Sequence, residues 1–194
     1  MSQSVTLRLT DVTVRNETST VTVTRTVPEI AILGISGPIG GYGAHGSFYD
    51  TATHRLTVNT ATRVPLNTTE FASFVSIVDG DTIKMANEGR YNIAFSIQLR
   101  NDGNQPHTVS IWLLKNTNYV PYTATDIVLG KSEEVARHVA AWNFFVDAQA
   151  GDEFALMVAT DGTKVDLIDG ASTLTTVADI PMVPSTIVTV NQIG

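Results

Sequence analysis

Hydrophobic and polar residues alternate one for one along most of this chain. Tyr91, Ile93, Phe95, Ile97 and Leu99 are interleaved with Asn92, Ala94, Ser96, Gln98 and Arg100. Val109, Ile111 and Leu113 repeat the pattern, as do Phe154, Leu156 and Val158. A period of two places one set of side chains on a buried face and the other on an exposed face, which is the signature of a half-buried strand. The pattern predicts strands over 54–59, 71–78, 82–85, 90–100, 107–115, 119–127, 135–147, 153–159, 164–168 and 185–192. Turn signals separate them: Asp79-Gly80, Glu88-Gly89, Asn101-Asp102-Gly103-Asn104, Gly151-Asp152, Asp161-Gly162 and Asp169-Gly170. Residues 132–137 could give a single helical turn. Many short antiparallel strands with regular punctuation predict an all-β fold, a sandwich or a jelly roll.

The first thirty residues form a separate unit with the same alternation. Val5, Leu7 and Leu9, then Val12 and Val14, then Val21 and Val23 alternate with polar residues, and Asn16-Glu17-Thr18-Ser19 supplies a turn. An isolated hairpin is marginal in water, so this unit must pair with copies of itself, with the rest of the chain or with another protein. Pro28 closes it.

Between the two strand regions, glycine falls at every third position: Gly34, Gly37, Gly40, Gly43 and Gly46. A triple helix of extended chains demands this spacing, because only glycine fits at its shared axis. A flexible glycine-rich linker is the other reading. A triple-helical stem would be ~40 Å long at ~3.1 Å per residue and would make the protein a trimer. The predicted organisation is therefore an N-terminal β segment over 1–30, a Gly-x-y stem over 31–46 and a larger β head, sandwich or jelly roll, over 47–194.

Charge and composition narrow the partners. The net charge of −7, with 12 basic residues against 19 acidic, argues against nucleic acid, whose phosphates need clustered Lys and Arg. No apolar run approaches the ~20 residues that cross a bilayer, and Met1-Ser-Gln-Ser lacks the features of a secretory leader. The expectation is a protein made in a cytoplasm, with no membrane partner. Asn16-Glu17-Thr18 and Asn67-Thr68-Thr69 then match glycosylation sequons by coincidence. The chain has no cysteine, so thiolate chemistry and disulfides are excluded.

Catalytic constellations are missing from the sequence. It contains no Gly-x-Ser-x-Gly, no His-Glu-x-x-His and no phosphate-binding loop. His45, His54, His107 and His138 lack metal-ligand spacing, although a trimer would bring three copies of His45 towards one axis. Asp79-Gly80-Asp81 supplies too few oxygens for calcium by itself. The expectation is a non-enzyme with no cofactor and no metal.

Several short motifs resemble a known family. Glu88-Gly89-Arg90-Tyr91-Asn92-Ile93-Ala94-Phe95 is similar to the Gly-x-Tyr-x-φ-x-Phe strand of the globular heads of complement and tumour-necrosis-factor proteins, and Ala150-Gly151-Asp152-Glu153-Phe154-Ala155-Leu156 resembles another of their strands. The opening Ser47-Phe48-Tyr49-Asp50, the run from Thr108 to Asn116 and the closing run from Pro184 to Val190 resemble the versions of this head in bacteriophage virion proteins. The resemblance spans 46–194. It implies a ten-stranded jelly roll in a homotrimer of a virion, and the short chain makes the expectation a capsid decoration (cement or head-fibre) protein on the capsid exterior. The attachment residues would be Val5, Leu7, Leu9, Val12, Val14, Val21 and Val23, binding the major capsid protein by strand addition. The alternative is a trimeric tail fibre or receptor-binding protein that recognises host surface glycan. Trp112, Trp142 and Tyr91 are the candidates for the trimer interface. For Trp112, on the face opposite Ile111 and Leu113, the core and a sugar-stacking surface remain open as well.

Overall fold

The structure is a computed structural model. It describes residues 13–16, 19–22, 43–132, 137–170, 176–177 and 179–194. The chain divides into two compact units, 1–41 and 42–194. The first contains an antiparallel hairpin of β1 (Thr13–Asn16) and β2 (Ser19–Thr22), in which Val14 lies opposite Val21. The turn predicted at Asn16–Ser19 therefore joins paired strands. Val5, Leu7, Leu9, Val12 and Val23, with Gly34, Gly37 and Gly40, lie outside the described residues.

The second unit is a sandwich of two sheets. In one sheet β6 (Thr68–Ser73), β3 (His45–Asp50), β16 (Thr186–Gln192), β9 (Gly89–Asn101) and β13 (Arg137–Ala148) run side by side, all antiparallel. Beyond the end of β16, β15 (Val165–Leu167) takes over the same edge of β9 and carries β4 (His54–Arg55). The opposing sheet has the order β7 (Val75–Val78), β8 (Thr82–Met85), β14 (Glu153–Thr160), β10 (His107–Lys115), with β11 (Asn118–Tyr119) and β12 (Thr125–Leu129) on the far edge of β10 and β5 (Thr62–Arg63) against β14. Successive long strands, β8 to β9 to β10 and β12 to β13 to β14, cross from one sheet to the other, the winding of a jelly roll.

The alternation in the sequence explains the interior. Tyr91, Ile93, Phe95, Ile97 and Leu99 of β9 face Ile111, Leu113, Phe154, Leu156 and Val158 of the opposing sheet within a single core. Each fully buried apolar side chain of this kind stabilises by about 1.5–3 kcal/mol relative to exposure. Asp79 and Gly80 both take positive φ (54° and 75°), as the Asp-Gly turn between β7 and β8 requires.

Two predicted strands are each divided. The run 71–78 breaks into β6 and β7 at Phe74, whose φ is 56°, and the run 119–127 breaks into β11 and β12 around Tyr122, at φ 62°. Nothing in the apolar pattern marks these left-handed positions, because bulky residues seldom occupy them. The predicted strand over 54–59 is reduced to His54–Arg55 plus a single bridge from Val58 to Thr160.

The glycine triplets end differently from the stem reading. Gly46 is a residue of β3, paired with Val190 of β16 and Ala72 of β6, and is part of the head. A Cβ at this position would lie 2.5 Å from the Phe48 ring, which folds over it. Packing within a strand thus accounts for this glycine without a triple helix. Gly43 lies just before β3 in the same unit.

The Gly151-Asp152 turn shows how one carboxylate ties two loops together. Asp152 accepts hydrogen bonds from the Gln149 amide (2.7 Å) and Asn116 Nδ2 (3.0 Å) and pairs with Lys115 Nζ at 2.7 Å. These bonds, led by Asn116 and Lys115, hold its pKa down at about 2. A depressed folded-state pKa contributes stability above the unfolded value, and that stability is lost as pH falls through the folded value. Asp152→Asn should therefore lower the melting temperature at about pH 6, and the gap to the parent should close by about pH 2. A gap of constant size across this range would show that the ionised carboxylate is not what matters.

Candidate functional site

The candidate site is the outward face of the sheet β6-β3-β16-β9-β13. Strand alternation that sends Tyr91, Phe95 and Val188 inwards sends their neighbours outwards, and the register aligns these in rows. One row is Asn143, Ala94, Thr189, Ser47 and Phe71; the next is Ala141, Ser96, Ile187, Tyr49 and Thr68. Phe145, Asn92, Asn191, His45 and Ser73 form a third.

These fifteen positions hold no Asp, Glu, Lys or Arg, in a chain with a net charge of −7. Apart from the His45 imidazole and the Tyr49 phenol, their side chains are small, amide or apolar, and Phe145, Phe71 and Ile187 are exposed large hydrophobics. Asn143 Nδ2 donates to Asn92 Oδ1 at 2.8 Å across β13 and β9, which fixes both amides. The one acidic side chain at the margin is Glu70, at the bulge where β6 shifts register against β3, and it accepts the Ser47 hydroxyl at 2.8 Å.

Charge returns at both ends of the band. At one end Arg90 Nε donates to Asp147 Oδ1 at 2.9 Å, and this hydrogen bond holds the Asp147 carboxyl below its ordinary pKa. At the other end Arg137 lies opposite Arg100, and Asp166 is buried between Arg100 and Arg55. Arg100 Nη2 and Arg55 Nη2 both reach Asp166 Oδ2 at 3.0 Å, and Arg100 also pairs with Asp102 at 3.0 Å. An uncharged centre with a charged rim is the anatomy of a protein–protein interface.

The predicted interface residues are placed elsewhere. Tyr91 has no exposed surface; it lies in the sandwich core, and its hydroxyl donates to the Asn87 carbonyl at 2.9 Å. Burial pushes that hydroxyl above its ordinary pKa. Trp142 is half-buried and packs inwards, edge-on to Phe95 with ring centres 4.5 Å apart. Trp112 lies on the outer face of the opposite sheet, against Leu114, Ala155 and Met157. Aromatic side chains alone do not mark the uncharged band; the outward alternates Asn92, Ala94, Ser96 and Thr189, none of them charged, carry that signal in the sequence.

Among the described residues, no group of three or more His, Asp or Glu is placed to hold a metal ion. His54 Nε2 lies 2.8 Å from Asp50 Oδ2, which also accepts the Ser185 hydroxyl at 2.7 Å. His54 and the buried Ser185 meet the same carboxylate oxygen, which ties the end of β3 to the start of β16. His107 contacts Asp161 at 3.2 Å.

Architecture and topology together define a jelly-roll β-sandwich of the tumour-necrosis-factor type. The crystal structure of murine APRIL at pH 8.0 superposes with a TM-score of 0.51 and 9% sequence identity, covering 77% of this chain and 98% of that one. Murine APRIL at pH 5.0 gives 0.49 and 10% over the same shares. The sequence matches no protein-family model and no curated protein. The likeness is one of fold.

Proposed function

We propose that the protein is a homotrimeric structural component of a bacteriophage virion, a capsid decoration protein of the cement or head-fibre kind. The observation that carries this reading is the uncharged outward band of the sheet β6-β3-β16-β9-β13. Left in water, it would be an unusual stretch for a chain this acidic; against two further copies it becomes an interface with charged ends. Tumour-necrosis-factor-like folds are typically trimeric, which supports three copies over two.

The virion role rests on the similarity of the segments Ser47–Asp50, Thr108–Asn116 and Pro184–Val190 to phage heads, and on the separate N-terminal unit. Residues 2–30 would join the major capsid protein by strand addition, with three arms per trimer giving avidity. Deleting residues 2–30 should leave a folded trimeric head that no longer sediments with capsids. Undiminished co-sedimentation would move the attachment site into the head and remove the arm from the account.

A trimeric tail-fibre or receptor-binding role is the second reading. The exposed aromatic group on the opposite sheet, around Trp112, favours it. Immunogold labelling of purified particles separates the two, since a decoration protein covers the shell and a fibre marks the tail.

A further inference from the structure

A second surface, remote in the register from the uncharged band, is built around Trp112. On the outer face of β10 and the turn that follows it, Trp112, Tyr119, Val120, Tyr122 and Ala124 line a shallow concavity of about 280 Å³. Trp112 and Tyr119 meet edge to face with ring centres 6.2 Å apart. Tyr119 is 68% exposed and Tyr122 is 106% exposed, so neither ring is there to fill the core. Trp112 itself is supported from beneath by Leu114, Ala155 and Met157.

Three features restrict what this surface can take. First, no lining residue is charged, and one carboxylate stands beside the aromatic floor. Asp126 lies opposite Ser110, two residues before Trp112 on the same face, and accepts the Ser110 hydroxyl at 2.5 Å. Second, the backbone under the floor is already spent. β10 pairs with β14 along 109–115 and with β12 and β11 on its other edge, so β10 itself offers no ladder to an extended peptide, and the free edge on this side of the sheet is that of β12. Third, the turn is fixed. Thr123 Oγ1 donates to the Val120 carbonyl at 2.8 Å and accepts the Leu113 amide at 3.1 Å, and Tyr122 is held at φ 62°, a costly conformation for a bulky residue.

We infer that the Trp112–Tyr119–Tyr122 surface is a subsite for a neutral carbohydrate. A pyranose ring presents an apolar C–H face and a rim of hydroxyls. The face stacks on aromatic rings, which offer large rigid contact area, and the hydroxyls find phenolic groups and a carboxylate at the edge. The subsite is independent of trimer formation and holds for a shell protein or a tail fibre.

The test is titration of the full-length ¹⁵N-labelled protein with cellotriose, maltotriose and tri-N-acetylchitotriose. The chain has two tryptophans, so each indole N–H gives a separate signal. Saturable movement of the Trp112 indole with at least one sugar, with Trp142 unmoved, is expected. Tyr122→Asn should weaken that binding by about tenfold while leaving the melting temperature equal or higher, because Asn tolerates positive φ. The proposal fails if neither indole responds to any of the three sugars, or if Tyr122→Asn binds as the parent does. It also fails if a proline-rich decapeptide moves Trp112 at lower concentration than every sugar.

Discussion

Under the proposed three-fold assembly, Thr189→Arg is expected to yield folded monomers. Thr189 sits mid-row between Ala94 and Ser47, in the middle strand of the five that present the uncharged band. Association would bury the new guanidinium in a band whose one nearby acidic side chain, Glu70, lies at the margin and already accepts the Ser47 hydroxyl. An uncompensated buried charge costs about 3–5 kcal/mol, so association should weaken by at least ~100-fold. Three copies brought close together also repel one another. Circular dichroism should remain that of the parent, because the position faces away from the core. Ala159→Arg is the control: it places the same charge on the outward face of β14, in the opposite sheet, and should leave the mass unchanged. A trimeric Thr189→Arg protein would show that the band is not the interface.

Phe48→Ala should be the most damaging single change to the head. The ring is wholly buried, and removing it from a core typically costs about 3–5 kcal/mol out of a total stability of about 5–15 kcal/mol. The informative experiment adds Gly46→Ala. In the parent the new methyl would meet the Phe48 ring at 2.5–2.6 Å and should cost about 1–3 kcal/mol by overpacking. In the Phe48→Ala background the methyl has room, and the penalty should largely vanish, giving a coupling of about 1–2 kcal/mol in urea unfolding. Were Gly46 dictated by a triple helix, its replacement would cost the same in both backgrounds.

The head was legible in the sequence wherever strands are long and half-buried. β9, β10, β14 and β16 were readable because a strict period of two leaves few other ways to hide Tyr91 to Leu99 or Phe154 to Val158. Breaks at Phe74 and Tyr122 were not readable, since an aromatic residue at positive φ has no propensity signal. Gly46 misled for a related reason. A glycine kept for close packing in a strand is identical in sequence to one kept for a crowded triple-helical axis. The candidate interface was written in the residues between the apolar ones, as a run of alternates without charge. Tyr91 and Trp142 drew attention as aromatics, yet β9 and β13 turn both towards the core.

In the proposed assembly three copies associate through the face that bears Ala94, Thr189 and Ser47. Sedimentation equilibrium or light scattering on the full-length protein tests it most directly. A single species with three times the 20.8 kDa mass of the chain is expected. A mass equal to one chain at micromolar concentration would contradict it.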